Sequence, residues 1–131
     1  MRIGERMGVL QVIHVAPTMD QAIAEARWGV NEQWDYSTGT RAGIWAKQWW
    51  LPHGAELTSR QADQDWFDFL QELDAIWVGT PDYVAEKMET YRRDLGLEHA
   101  IIWPQLFGLS HLQVMRSLEL FASDVMPRFR L

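Results

Sequence analysis

The sequence contains no cysteine. That absence rules out a disulfide framework and a thiolate zinc site. Long apolar runs are missing too. None nears the ~18 residues of a membrane-spanning helix, and the N-terminus lacks a signal-peptide core, so a cytoplasmic protein is the expectation. Basic residues are in the minority, 12 against 18 acidic ones, for a net charge of −6. An acidic surface with no basic cluster is a poor partner for nucleic acid or an anionic membrane. Arg92 and Arg93 read as a solvated helix face.

Several chemistries lack their residues. His14, His53, His99 and His111 form neither an H-x-x-x-H nor an H-E-x-x-H spacing, so no metal site is expected. There is no G-x-S-x-G elbow, no phosphate-binding G-x-x-x-x-G-K-[ST] loop and no G-x-G-x-x-G turn. The carboxylates Asp63, Asp65, Asp68 and Glu72 fall along one acidic helix, where they read as its wet side.

What is present is an ordinary globular composition over 131 residues, 47% hydrophobic and 23% charged, which reads as one domain spanning 1–131. Eight tryptophans are many for this length. Their surface calls for burial inside, against a partner, or around a flat ligand.

The chain alternates strand and helix patterns. "VLQVIHVA" (Val9 to Ala16) is a strand candidate. After it Thr18 and Gln21 have capping-box spacing, and Ala22, Ile23, Ala26, Val30 and Trp34 make a helical stripe. From Ser37 to Ser59 the period breaks, with three glycines and with Trp45, Trp49 and Trp50. "QADQDWFDFLQELD" then reads as a helix with Trp66, Phe69, Leu70 and Leu73 on one side. "AIWV" (Ala75 to Val78) is a buried-strand run. It meets a turn glycine at Gly79, a capping Thr80 and Pro81 at the first helical position. Val84, Met88, Tyr91 and Leu95 form the next stripe, and Gly96 stands where that helix stops. "HAIIW" (His99 to Trp103) follows, so 75–103 reads as β-α-β with parallel pairing. Ser110 and Gln113 repeat the capping-box spacing before a helix that turns Leu112, Met115, Leu118, Phe121, Ala122 and Val125 inward and stops at Pro127.

Three βα units imply either an open doubly wound sheet or part of a (β/α)8 barrel, whose full length is about 250 residues. The residues "VGTPDYVAEKMETYRRDLGLEHAIIWPQLFGLSHLQVMRSLELFASDVMPRFR" resemble the C-terminal end of the luciferase-like flavin-dependent monooxygenases. The likeness rests on Gly79-Thr80-Pro81 after a strand, Leu95-Gly96 before the next one, and the closing "SLELFASDVMPRFR". "VIHVAPTMDQAIAEA" resembles the strand and helix upstream. The resemblance implies an α/β fold, a partial (β/α)8 TIM barrel made of the last three βα units with an irregular tryptophan-rich insert. It implies FMN, or the deazaflavin F420, held at the strand C-terminal ends, and oxygen passed to a small organic substrate. The strands that precede these in the family lie outside the sequence. A homo-oligomer or a partner chain completing the barrel is therefore expected. The rival expectation is a non-catalytic remnant or accessory subunit that binds flavin or a partner.

Candidate site residues follow from the strand ends. Gly79 and Thr80 sit at a helix start, as a simple cap or as a flavin contact. His14 is either a satisfied core residue or a hydrogen-bonding group for flavin. Trp103 and Gln105 end the last strand, Trp103 to wall a substrate pocket or to pack under the final helix, and Gln105 to donate to a bound carbonyl. Trp45 and Trp49 line either a substrate opening or a subunit interface.

Overall fold

The computed structural model describes residues 5–37 and 65–129, and within them the first apolar run forms the central strand β1 (Gly8–Val15). Its last five residues are buried. Helix α1 (Met19–Ser37) follows, with the Thr18 hydroxyl accepting from the Gln21 N–H at 3.2 Å. The short helix α2 (Trp66–Glu72) is capped by Asp65, whose carboxylate accepts from the Asp68 N–H. Strand β2 (Ile76–Gly79), helix α3 (Pro81–Leu95), strand β3 (His99–Trp103) and helix α4 (His111–Leu120) complete the order. A π-helical turn (Phe121–Val125) and a 3₁₀ turn (Met126–Phe129) prolong α4. The tryptophan-rich insert expected between Ser37 and Ser59 lies, beyond Ser37 itself, outside the described residues, as do Trp45 and Trp49.

The caps are those the local sequence demands. Thr80 accepts from the Tyr83 N–H, Pro81 opens α3, and Gly96 closes it at φ 66°, a left-handed value that glycine reaches at little cost. Ser110 and Gln113 make both hydrogen bonds of a capping box.

The sheet is parallel, in the order β2-β1-β3. The neighbouring β2–β3 pair expected from the sequence is therefore not made; each of those strands pairs with β1. In a wall of consecutive barrel units each strand lies beside the next, and β1 would flank the trio instead of dividing it. The reason is an open edge. β2 takes one edge of β1 over Val12–Val15, and β3 takes the other over Gly8–Val12. The connection from β1 to β2 steps one way along the sheet and that from β2 to β3 steps back. Crossovers of one hand then put helices on opposite faces. On the first face α1 and α2 cover Val12, Ile76 and Val78, with Leu106, Leu109 and Val114. On the second, α3 and the π-helical turn cover Ile13, Val15 and Trp77. The described residues thus form an α/β unit with a three-stranded parallel sheet.

Helix α4 differs from its expected orientation. Val114, Ser117, Phe121 and Val125 are buried, whereas Leu112 and Met115 are exposed, and so is Ala122. The cause is Ser117, whose hydroxyl accepts the Val15 N–H at 2.9 Å, where β3 no longer pairs with β1. An unpaired buried amide costs about 1–3 kcal/mol, enough to turn the helix away from its greasiest face. Pro127 does not stop the helical path; it sits inside the 3₁₀ turn, after the π-helical turn has reset the phase. Leu73, expected inward on α2, is exposed as its C-terminal cap residue.

Candidate functional site

The C-terminal ends of parallel strands are where loops diverge and leave a crevice. Here the crevice lies beyond β1, between the β1–α1 junction and α4. It is a cleft of about 550 Å³ lined by Val15, Ala16 and Pro17 on one side and Leu120 and Ser123 on the other. Its polar groups are Gln21 and Glu25 of α1 with Gln113, Arg116 and Glu119 of α4.

His14 stands behind this cleft. It points to the α1 face and is fully buried, and its Nε2 lies 2.8 Å from Glu25 Oε2. The other Glu25 oxygen accepts from Gln21 Nε2 at 2.8 Å. A carboxylate accepts, so the ring nitrogen facing it carries the proton. Nδ1 has no partner among the described residues. The histidine is therefore a core residue satisfied on one side only, and it reaches the cleft through Glu25. Arg116 has no hydrogen-bond or ion-pair partner among the described residues, so its guanidinium is open to a ligand.

The other expected residues fall elsewhere. Gly79 adjoins β1, where its carbonyl accepts the Ala16 N–H at 3.1 Å. A Cβ there would lie 2.6 Å from Met19 Sδ and 2.7 Å from the Tyr83 ring. The glycine is thus needed for that close packing, and the space above it is filled by protein. Thr80 spends its hydroxyl on the α3 cap. Neither residue lines the cleft. Trp103 lies across β1 on the far strand, half exposed rather than packed under α4, and its indole N–H donates to the Gln105 carbonyl at 2.8 Å. The Gln105 amide donates to Leu106 O. The structure does not bring Trp103 or Gln105 to the cleft.

Sequence reasoning missed Glu25, Gln113, Arg116 and Glu119 as site residues and read Gln21 only as a cap. The available signal was the spacing Gln21–Glu25, one helical turn on the face that follows a buried strand histidine. A second cavity, of about 700 Å³, opens at the opposite end of the sheet, lined by Val9, Trp77, Met88, Tyr91 and His99 among others. It is larger, but its guanidinium, Arg92, is already held by Glu89 at 2.9 Å. Among the described residues no cluster of three metal-ligating side chains occurs, and no helix is long and apolar enough to cross a membrane.

Fold and cleft define the class first: a parallel α/β unit with its polar crevice at the C-terminal end of the central strand. No protein-family model and no curated protein matches the chain. Solved structures are similar to it, two monooxygenases among them. Monooxygenase RslO1 from Streptomyces bottropensis matches with 18% identity and a TM-score of 0.56, over 94% of this chain and 31% of that one. The second is the oxygenating constituent of 3,6-diketocamphane monooxygenase from the CAM plasmid of Pseudomonas putida, a type II Baeyer-Villiger monooxygenase in complex with FMN. It matches with 21% identity and a TM-score of 0.59, over 98% of this chain and 35% of that one. The chain thus shares the fold of part of these monooxygenases and spans about a third of their length.

Proposed function

We propose that the chain is a luciferase-like flavin-dependent monooxygenase, or a part of one, that uses reduced FMN and O2 to oxygenate a small organic substrate. The observation that carries the reading is the polar cleft at the β1 C-terminal end, on a fold shared with an FMN-bound monooxygenase. That FMN is also why FMN is preferred here to F420. The donor set suits such a group: Arg116 for the phosphate, and the amides of Gln21 and Gln113 for the polar edge of a flat ring. When bound in reduced form, FMN supplies the electrons that activate O2. Glu25, held by His14 and Gln21, is a fixed acceptor at the cleft wall, placed to orient a substrate hydroxyl or to take a proton. Val15, Ala16, Pro17 and Leu120 keep that wall partly dry. Gly79 and Thr80 support the site by fixing the adjoining strand end. The partial (β/α)8 barrel is proposed for the complete assembly, in which further polypeptide or a second copy takes the β1 edge that β3 occupies here and β3 pairs with β2 instead, and the location proposed is the cytoplasm.

A second reading is favoured by the coverage, since the chain spans only about a third of the length of the two monooxygenases. On that reading the chain is a non-catalytic flavin- or partner-binding subunit. A fluorescence titration with FMN, followed by NAD(P)H-dependent oxygen uptake with an added flavin reductase, separates the two. Quenching that Arg116→Gln weakens, together with substrate-dependent oxygen uptake, supports the monooxygenase. Binding without uptake supports the flavin-binding subunit, and no binding at all removes the monooxygenase and leaves the partner-binding subunit.

A further inference from the structure

The cavity of about 700 Å³ at the far end of the sheet has no part in the flavin reading. It lies on the α3 face. Val9 and Ala100 are register partners there, Trp77 shares the face through its pairing with Ile13, and Met88 and Tyr91 come from α3. The gap has a cause in the sequence. Ala100 carries the smallest side chain of β3, and Gly96, where α3 ends, carries none. Helix end and sheet therefore leave space between them, and Phe129 adds an aromatic wall. One atom of the lining is unaccounted for. The Trp77 side chain is 1% exposed, and its indole N–H has no acceptor among the described residues. Buried donors are nearly always paired, because an unmade hydrogen bond gives up water and gains nothing.

We propose that this cavity is a second binding site, separate from the cleft at the β1 C-terminal end. Its ligand is a small, flat, uncharged aromatic molecule whose one hydrogen-bond acceptor takes the Trp77 N–H. The volume is within the range of small-molecule sites. The walls favour a ring, since Trp77, Tyr91 and Phe129 offer aromatic edges and faces and Met88 adapts to what they leave. Charge selects against ions. Arg92 is neutralised by Glu89, which it meets twice at 2.9 Å. An anion would then face Glu98 and a net charge of −6 with no free guanidinium to oppose them. A cation has no acceptor to offer the indole N–H. FMN, with its phosphate, is excluded on the same ground as other anions.

Benzonitrile and phenylacetylene test this on the full chain without flavin, because they share a shape and only the first has an acceptor. Amide and indole signals of the labelled protein are followed up to about 4 mM, where ligands of this size bind. Benzonitrile should shift Tyr91, Ala100 and Phe129 and move the Trp77 indole N–H signal. Cavity signals that stay fixed overturn the site, and an unmoved indole signal overturns the assigned hydrogen bond. In Trp77→Phe the preference for benzonitrile over phenylacetylene should fall about threefold to tenfold, the worth of one hydrogen bond. An unchanged preference refutes the acceptor. Should that variant misfold, Ala100→Trp decides. It fills the cavity from an exposed position and should weaken both ligands at least about tenfold, as loss of most of a pocket does. Binding that survives it refutes the location. Excess FMN should leave the benzonitrile shifts in place, and displacement would mean one site instead of two. None of this rests on FMN binding at the cleft, so either reading can fail alone.

Discussion

β2 and β3 are near twins in sequence and opposites in structure. Both are short apolar strands that contain a tryptophan and run parallel to β1, yet all four residues of β2 are buried while every residue of β3 but Ile102 is exposed. The difference lies in what stacks on them. β2 is covered by α1 and α2 on one face and by α3 on the other. β3 has α3 and Phe129 near one face, and on the other no described residue buries Ile101 or Trp103. An apolar strand pattern therefore states a demand for cover without saying which element meets it.

The largest way to sharpen that contrast is to truncate the two tryptophans. Trp77 is 1% exposed and packs edge-on against Tyr91 at 5.0 Å. Trp77→Ala is expected to cost about 3–5 kcal/mol, as other deletions of a buried aromatic do. Trp103→Ala should cost at most about 1 kcal/mol in the single chain. Urea unfolding at low protein concentration measures both, and equal losses would dissolve the distinction between the strands.

Next comes the seam between α1 and the loop after β3. At Gly29 a Cβ would run into the Phe107 carbonyl oxygen, a backbone atom that can move only with its whole loop. Gly29→Ala is expected to destabilise by about 1–3 kcal/mol. Because the strain falls on the β3 side, hydrogen exchange should accelerate at Leu106–Leu109 more than in β2. Uniform acceleration would mean that the two halves unfold as one.

The smallest effect belongs to the α1–α2 side. Arg27 binds Asp65 at 2.6 Å and Asp68 at 3.1 Å, and Asn31 also donates to Asp65. Burial pushes the Asp65 carboxyl up, but the Asp68 amide, Asn31 and Arg27 together hold it below its usual 3.8. A lowered carboxyl stabilises the fold above its unfolded value and loses that contribution as pH falls through the folded one. Asp65→Ala should cost about 1–2 kcal/mol at pH 7, mostly through the lost cap. The gap between parent and variant should begin to narrow below about pH 4, near the ordinary carboxyl value, and go on narrowing as pH falls through the lowered folded value. A constant gap down to pH 2 would contradict the assignment.

Much of the fold was legible in local sequence because local physics decides it. Thr80, Pro81 and Gly96 bound α3 as expected, and Ser110 with Gln113 starts α4 as expected. The α1 stripe is buried at Ala22, Ala26, Val30 and Trp34. Strand order was not legible, because backbone pairing carries no side-chain signature: "HAIIW" fits the edge of β1 as well as that of β2. The α4 face was misread for a related reason. A hydropathy stripe gives no weight to a serine, and Ser117 is turned inward by a single amide on β1. The site was half legible. His14 at a strand end was visible in the sequence, but its partner Glu25 becomes a neighbour only once α1 folds back over the sheet. Thr80 and Gly79 stood out because turn chemistry is conspicuous, and that chemistry is consumed by the turn itself.

The two cavities at opposite ends of the sheet offer the most direct test of the functional account. An FMN titration followed by amide signals of the labelled chain should shift Ala16, Gln21, Glu25, Gln113 and Arg116 around the cleft at the β1 C-terminal end. Shifts centred instead on Val9, Tyr91 and His99, around the larger cavity at the other end, would contradict it, and so would a spectrum that FMN leaves unchanged.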